Sequence, residues 1–323
     1  MGIEDWKPSL TETDVLNIKL FCDVARANGS AVSIKDLVRL TATDYSEEQL
    51  ADSWDNYRLL SSRYRVASGI VLEKSFSENL DEQESTARQE ITERYDRANI
   101  NIDYACRFST LLTRADRSIK VLSISGSTSY LSVSEMDDLD FFCIMRSQSM
   151  WTGFVRTLIL ARAFRLANKN APWICMSYVS DEDFVRREFQ GNQNGLFARD
   201  AISTLVVSGE GYFQNLLKEN SWMSSYFPKL YNLRLKKEGS ESSTEREEKP
   251  ASSISRIVNL FLYYTAGSYI RLKSYLLNRK FSQDRKFSSL FKLRIGPDHC
   301  IYESADYVRL RKLYSTMKKK SGT

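Results

Sequence analysis

The chain of 323 residues has one histidine, His299, and only five cysteines, an odd number without a Cys-x-x-Cys pair. A structural zinc site needs four clustered nitrogen or sulfur ligands, so neither that nor a disulfide framework is expected from Cys22, Cys106, Cys143, Cys175 and Cys300. Cysteine catalysis would need a base, and the sole imidazole adjoins Cys300 in an irregular Gly296-Pro297-Asp298 turn. Packing as small apolar side chains accounts better for Cys143 and Cys175.

Long hydrophobic runs are also missing. Residues 257–277 include Leu260, Phe261, Leu262, Tyr263 and Tyr264, but Asn259, Arg271 and Lys273 interrupt them. The stretch falls short of the roughly 20 apolar residues of a membrane span, and a core helix is predicted. Residues 1–20 carry Glu4, Asp5, Lys7, Glu12 and Asp14 without an unbroken apolar core, so a cytoplasmic protein with no secretory signal is expected. Internal repeats are absent. Residues 236–250 contain no aliphatic or aromatic side chain, cannot repay the entropy of ordering, and predict a flexible linker over 236–253.

Hydrophobic residues make up 42% of the chain, enough for a sizeable core and two or three structural units. The formal charge of +5 is unevenly spread. Residues 251–323 hold fifteen Lys and Arg against four Asp and Glu, a balance of +11, which leaves −6 for the first 250 residues. Arg279-Lys280, Arg285-Lys286 and Lys318-Lys319-Lys320 fit either a solvated face or contact with nucleic acid, nucleotide polyphosphate or an acidic membrane surface.

Helical periodicity over 13–27, 33–41 and 46–61, with Thr11 or Thr13, Ser33 and Ser46 as N-caps, predicts three short helices. The run 64–72, turning at Ser68-Gly69, predicts a hairpin, so 1–75 reads as a winged-helix-like unit. Its third helix carries Glu47, Glu48, Asp52 and Asp55 against Arg58, which favours packing or dimerisation over DNA reading and leaves a homo-oligomer open. Residues 78–111 predict one or two helices leading into a sheet.

Lys120 to Ile124 reads as a strand ending at a turn, Ser125-Gly126-Ser127, where the backbone can approach a ligand without an intervening Cβ. Ten residues later Asp138-Leu139-Asp140 opens the apolar stretch Phe141-Phe142-Cys143-Ile144. Alternation along a strand places Asp138 and Asp140 on one face and Leu139 in the core. Adjacent carboxylates repel unless a cation lies between them, so the pattern points to a metal and phosphate site. An ordinary turn followed by an acidic strand start is the plainer alternative.

The pattern of Gly-Ser, a short spacer and Asp-hydrophobic-Asp resembles the nucleotidyltransferase superfamily of the DNA polymerase β type. Ser125 stands where that family has a hydrophobic residue. The resemblance implies an α+β fold with a small mixed palm-type sheet over 76–235, and the charge balance beyond the linker marks 254–323 as a basic helical unit. It also implies metal-dependent transfer of a nucleoside monophosphate from a nucleoside triphosphate to a hydroxyl acceptor. Gly126 and Ser127 would hold the triphosphate, and Asp138 and Asp140 would be the catalytic carboxylates that hold Mg²⁺ or Mn²⁺. Arg156 and Arg162, on the helix expected from 153 to 167, would neutralise phosphates or face solvent.

Active members of that family take a third carboxylate from a later strand. The matching strand here, Trp173 to Val179, has none; Ser177 is its small polar residue, and Asp181, Glu182 and Asp183 lie just beyond, suited to capping the next helix. A catalytically degenerate nucleotide-binding module and a nucleic-acid-binding regulatory protein are therefore alternatives. A weaker resemblance extends to poorly characterised predicted nucleotidyltransferases with an amino-terminal winged-helix-like segment. It runs through Met150-Trp151-Thr152, Cys175 to Ser180, Phe197-Ala198-Arg199-Asp200, and Glu219-Asn220-Ser221-Trp222 to Phe227-Pro228.

Overall fold

A computed structural model describes residues 10–27, 29–74, 80–135, 137–236, 253–284 and 290–320. Most of the expected linker over 236–253 lies outside the described residues. The chain divides into two compact units, one of Met1–Arg97 with Trp222–Lys237 and the other of Ala98–Ser221 with Glu238–Thr323.

The first unit begins with α1 (Glu12–Ala27), whose Thr11 and Asp14 side chains each accept from the other's backbone N–H at 3.2 Å. β1 (Val32–Ser33) leads into α2 (Ile34–Thr41), capped by Ser33 through the Asp36 N–H. A Ser46–Gln49 capping box opens α3 (Glu47–Ser53). The third helix expected over 46–61 runs as α3 to Ser53, tightens into a 3-10 turn over Trp54–Asn56 and breaks at Tyr57, whose backbone is extended; Trp54 is buried, its indole N–H donating to the Tyr64 carbonyl. The chain resumes as α4 (Arg58–Ser61).

β2 (Tyr64–Ala67) and β3 (Ile70–Glu73) form the expected hairpin, with β1 on the other edge of β3. Ser68 and Gly69 both have positive φ, 45° and 79°, as a two-residue hairpin turn that matches strand twist requires. α5 (Leu80–Ala115) follows as one helix of 36 residues. Its polar part is laced by pairs four residues apart such as Glu84–Arg88 and Glu93–Arg97, while Ala105, Phe108 and Leu112 enter the core of the second unit.

The second unit is built on a six-stranded mixed sheet. β4 (Ile119–Ile124) leads through a single helical turn, α6 (Gly126–Ser129), and a loop to β5 (Leu139–Met145). α7 (Met150–Ala167) crosses over to β6 (Ile174–Asp181), and α8 (Glu182–Gly191), α9 (Gly195–Ser203), β7 (Leu205–Ser208) and α10 (Glu210–Lys218) follow. The chain next supplies α11 (Pro228–Lys236) to the first unit. It ends with α12 (Ser253–Gln283), β8 (Phe291–Ile295), β9 (His299–Ser304) and α13 (Ala305–Lys320).

The strand order is β7-β4-β5-β6-β9-β8, with β5 and β6 parallel and the other pairs antiparallel. The protein is thus α+β with a mixed sheet. Leu139, Phe141 and Cys143 alternate into a core with Phe108, Trp151 and Phe154, all essentially inaccessible to water.

The stretch 254–323 differs from the helical unit expected there. Phe291 to Ile295 and His299 to Ser304 form a hairpin that joins the central sheet, Val179 pairing with Cys300. Buried Asn259 of α12 accepts from the Trp151 and Thr152 N–H groups at 2.8 and 3.2 Å, and the Trp151 indole N–H donates to the Gly296 carbonyl at 3.0 Å. Ser149, the N-cap residue of α7, makes no side-chain cap of its own, so α12 supplies one from more than a hundred residues away. The basic segment is therefore woven into the sheet domain.

Candidate functional site

The antiparallel pairing of β4 and β5 sets Ile124 opposite Phe141, and the Ser125 N–H donates to the Asp140 carbonyl at 2.9 Å. This carries the Ser125-Gly126-Ser127 turn directly over the start of β5. Gly126 has φ of +64°, and a Cβ built there would lie 2.6 Å from Asp140 Oδ2. The position excludes a side chain on both counts.

Buried Thr128 and Ser129 anchor the turn: Asn101 donates to Thr128 Oγ1, and Ser129 Oγ donates to the Gly126 carbonyl. The next residue, Tyr130, donates to Asp200 at 2.6 Å and packs under the buried Arg199, which itself binds Asp200 at 2.7 Å. The Phe197-Ala198-Arg199-Asp200 fragment thus acts as a brace beneath the loop.

Asp138 is exposed and Asp140 partly buried. Burial, with Asp138 close by and Asp137 behind it, raises the Asp140 carboxyl to about 7, against smaller lowering effects of hydrogen bonds from Cys175 and Ser177. Asp138 is raised by partial desolvation and by Asp137, while the Arg165 guanidinium opposes the rise. Asp137 also accepts from the Ser134 N–H at 2.8 Å, which engages it in the loop.

The parallel register pairs Asp140 with Cys175 and Met145 with Asp181. Ser177 falls beside the site, its Oγ 3.5 Å from Ser125 Oγ and donating to the Phe141 carbonyl at 3.2 Å. Asp181 lies six residues beyond Cys175, roughly 20 Å along the strand. There it caps α8 through the Phe184 N–H, while Glu182 and Asp183 accept from Ser147. These three acids stand at the far end of the sheet from Asp138 and Asp140.

Two residues not singled out by their sequence context flank the carboxylates. The Leu139 N–H donates to the Trp173 carbonyl at 2.7 Å, and the Trp173 ring, 64% exposed, lies 3.3 Å beneath the Arg165 guanidinium. Arg165 is therefore the cation of α7 that acts on Asp138. Arg156 instead pairs with Asp116 at 3.1 Å, and Arg162 is exposed. An isolated Trp immediately before an apolar strand was the available signal for this corner.

Cys143, Cys175 and Cys300 offer no competing centre. Burial raises Cys143 and Cys175 well above the ordinary thiol range and Cys300 to about 12. His299 is bonded to Asp298 at 2.8 Å and stacked on Phe184.

Among the described residues no three or more His, Cys, Asp or Glu side chains are grouped to hold a metal ion. Asp138 and Asp140 nevertheless suit a cation of the Mg²⁺ type, which keeps several waters and is commonly held by one or two carboxylates together with substrate phosphates. Glycine at 126 lets the turn's backbone lie directly against Oδ2 of Asp140, where a Cβ would clash.

Compared with known proteins, the chain matches no family model, and no curated protein or solved structure matches it significantly. No helix among the described residues is long and apolar enough to cross a membrane.

Proposed function

We propose that this chain is a metal-dependent nucleotidyltransferase that takes a nucleoside triphosphate at the Gly126-Ser127 turn and transfers its nucleoside monophosphate to a hydroxyl acceptor. The observation that carries this reading is the apposition of Gly126 to Asp140, which sets a side-chain-free backbone turn against a raised-pKa carboxylate. Backbone and hydroxyl donors of Gly126 and Ser127 hold phosphate oxygens. Asp138 and Asp140 hold Mg²⁺ or Mn²⁺, which when bound offsets their repulsion and polarises the phosphate under attack.

Arg165 adds positive charge beside Asp138, and its stacking on Trp173 limits the rotamers it can adopt. The sheet order and the single parallel pair β5–β6 are compatible with a palm-type domain. The order helix, short strand, three short helices and hairpin supports a winged-helix-like reading of the first unit. The acids Glu47, Glu48 and Asp52 on α3 suit that unit to packing against protein.

A second reading has its own observation. Ser177 occupies the neighbourhood where a third carboxylate would complete a two-metal site and accept the acceptor's proton. On this reading the domain binds nucleotide without turnover. Single-turnover labelling with each α-labelled nucleoside triphosphate, using RNA, protein and metabolites as acceptors, separates the two. A labelled acceptor that disappears with Asp138→Ala establishes transfer; metal-dependent binding without any labelled product establishes the binding module; and absence of both rejects the site.

A further inference from the structure

α12 is apolar on both sides, and only one side is covered. Asn259, Gly267, Ile270 and Ser274 are buried toward the domain. On the opposite side ten large apolar residues are between 42% and 74% exposed, among them Ile257, Phe261, Tyr264, Leu272 and Tyr275. At those fractions they leave on the order of 1,000 Å² of side-chain surface in water, above the roughly 300–600 Å² of the largest patch on a typical monomer. Helices hydrophobic all round are ordinarily buried, so this face has an occupant.

Charge selects the occupant. The helix carries Arg256, Arg271, Lys273, Arg279 and Lys280 and no acidic residue. All five cations are exposed, and none is paired with an acid among the described residues. At about 100° per residue, Lys273 and Lys280 fall along one border of the apolar stripe and Arg271 along the other, with Arg279 at its carboxyl-terminal end. A second copy of the chain would cover the stripe but bring no acid on its own α12 to those cations. Nucleic acid would answer the cations but gain little from the aliphatic face between them. An anionic lipid surface does both, since cations bordering an apolar stripe reach headgroup phosphates while the aliphatic and tyrosine side chains enter the headgroup and acyl boundary.

We infer that the outer face of α12 is an interfacial membrane-binding surface for anionic lipid. The helix lies along the bilayer surface and does not cross it. The whole 251–323 segment, at +11, adds a field of the sign that draws the chain to such a surface. This inference is independent of the triphosphate reading.

The test is co-sedimentation of the full chain with vesicles of phosphatidylcholine alone or mixed with phosphatidylglycerol, at low and moderate salt. Binding is expected to need phosphatidylglycerol and to weaken with salt. Two sets of exposed substitutions are compared with it, Phe261→Glu with Leu272→Glu, and Lys273→Gln with Arg279→Gln and Lys280→Gln. Each set is expected to lower partitioning by at least about tenfold without shifting the melting temperature.

The inference is overturned if wild-type chain ignores the anionic vesicles, or binds neutral ones equally. It is also overturned if vesicles do not bind and sedimentation velocity shows a dimer that the two glutamates split, which assigns the face to a second copy. Retention on RNA without vesicle binding, lost with the glutamine set but not with the glutamates, assigns the cations to nucleic acid. Because both sets alter only exposed side chains, and because wild-type salt and lipid dependence are measured in parallel, a variant that fails to fold leaves the decision intact.

Discussion

A side-chain carbon at Gly126 would stand 2.6 Å from Oδ2 of Asp140, closer than real Cβ contacts come. The turn and the carboxylate therefore form one device, and Gly126→Ala tests it. The added methyl must displace Asp140 or the turn, and a φ of +64° costs alanine about 1 kcal/mol besides. The variant is expected to fold, melt slightly lower and lose metal-dependent triphosphate binding in calorimetry. Binding equal to wild type would dissociate the turn from the site.

Asp138→Asn and Asp140→Asn are each expected to weaken metal-dependent binding at least tenfold, since losing even a partner that only orients a metal ligand costs about 10–100-fold. The pH course follows from Asp140, whose carboxyl is raised by burial and by Asp138 to about 7. Below that pH a proton competes with the cation, so divalent affinity should rise between pH 6 and pH 8 and then level. Isothermal titration with Mn²⁺ in that range decides it. A flat profile would mean that Asp140 takes no part.

Much of the architecture was legible because it rests on local rules. Ser33 and Ser46 cap the helices they precede, Ser68-Gly69 makes the hairpin turn, and the two-residue period from Leu139 divides core from site. The unread parts depend on contacts distant in sequence. The helix expected over 46–61 breaks at Tyr57, whose hydroxyl accepts from the Leu10 N–H 47 residues away, a contact helical periodicity does not encode. The alternation Phe291-Lys292-Leu293-Arg294-Ile295 is a strand signal overshadowed by the surrounding charge. Likewise Arg156, Arg162 and Arg165 look alike on one helix; only the placement of Trp173 and Asp116 determines that Arg165 stands beside Asp138.

Asn259 and Trp151 provide a stability test remote from the chemistry. Asn259→Ala removes the buried acceptor for two N–H groups at the start of α7 and leaves them without a cap. Orphaning a buried donor costs about 1–3 kcal/mol, so urea denaturation should show a loss in that range. Asn259→Asp, which keeps the acceptor, should recover part of it. A change within about 0.5 kcal/mol for the alanine variant would place it with ordinary surface substitutions.

Asp181 poses a contest between burial and capping that pH can settle. Only 5% exposed, it accepts the Phe184 N–H as the N-cap of α8, an arrangement that on its own favours the charged form. Burial prevails, and with Asp298 and Asp183 nearby the carboxyl rises to about 6, the Phe184 bond opposing the shift. A folded-state pKa above the unfolded value of about 3.9 means that the native state holds the proton more tightly. The associated stability is complete below about pH 4, declines as pH climbs through 6 and is gone above it, amounting to on the order of 3 kcal/mol. Asp181→Asn keeps a cap of equal quality and removes the titration. The variant should therefore gain on wild type as pH rises from 4 to 6, with the difference constant from pH 7 upward, in urea titrations at each pH. If the difference is instead flat from pH 4 to 6 and wild type gains on the variant as pH rises from about 2 to 4, the cap has prevailed over burial and the Asp181 carboxyl lies below the usual carboxylate range.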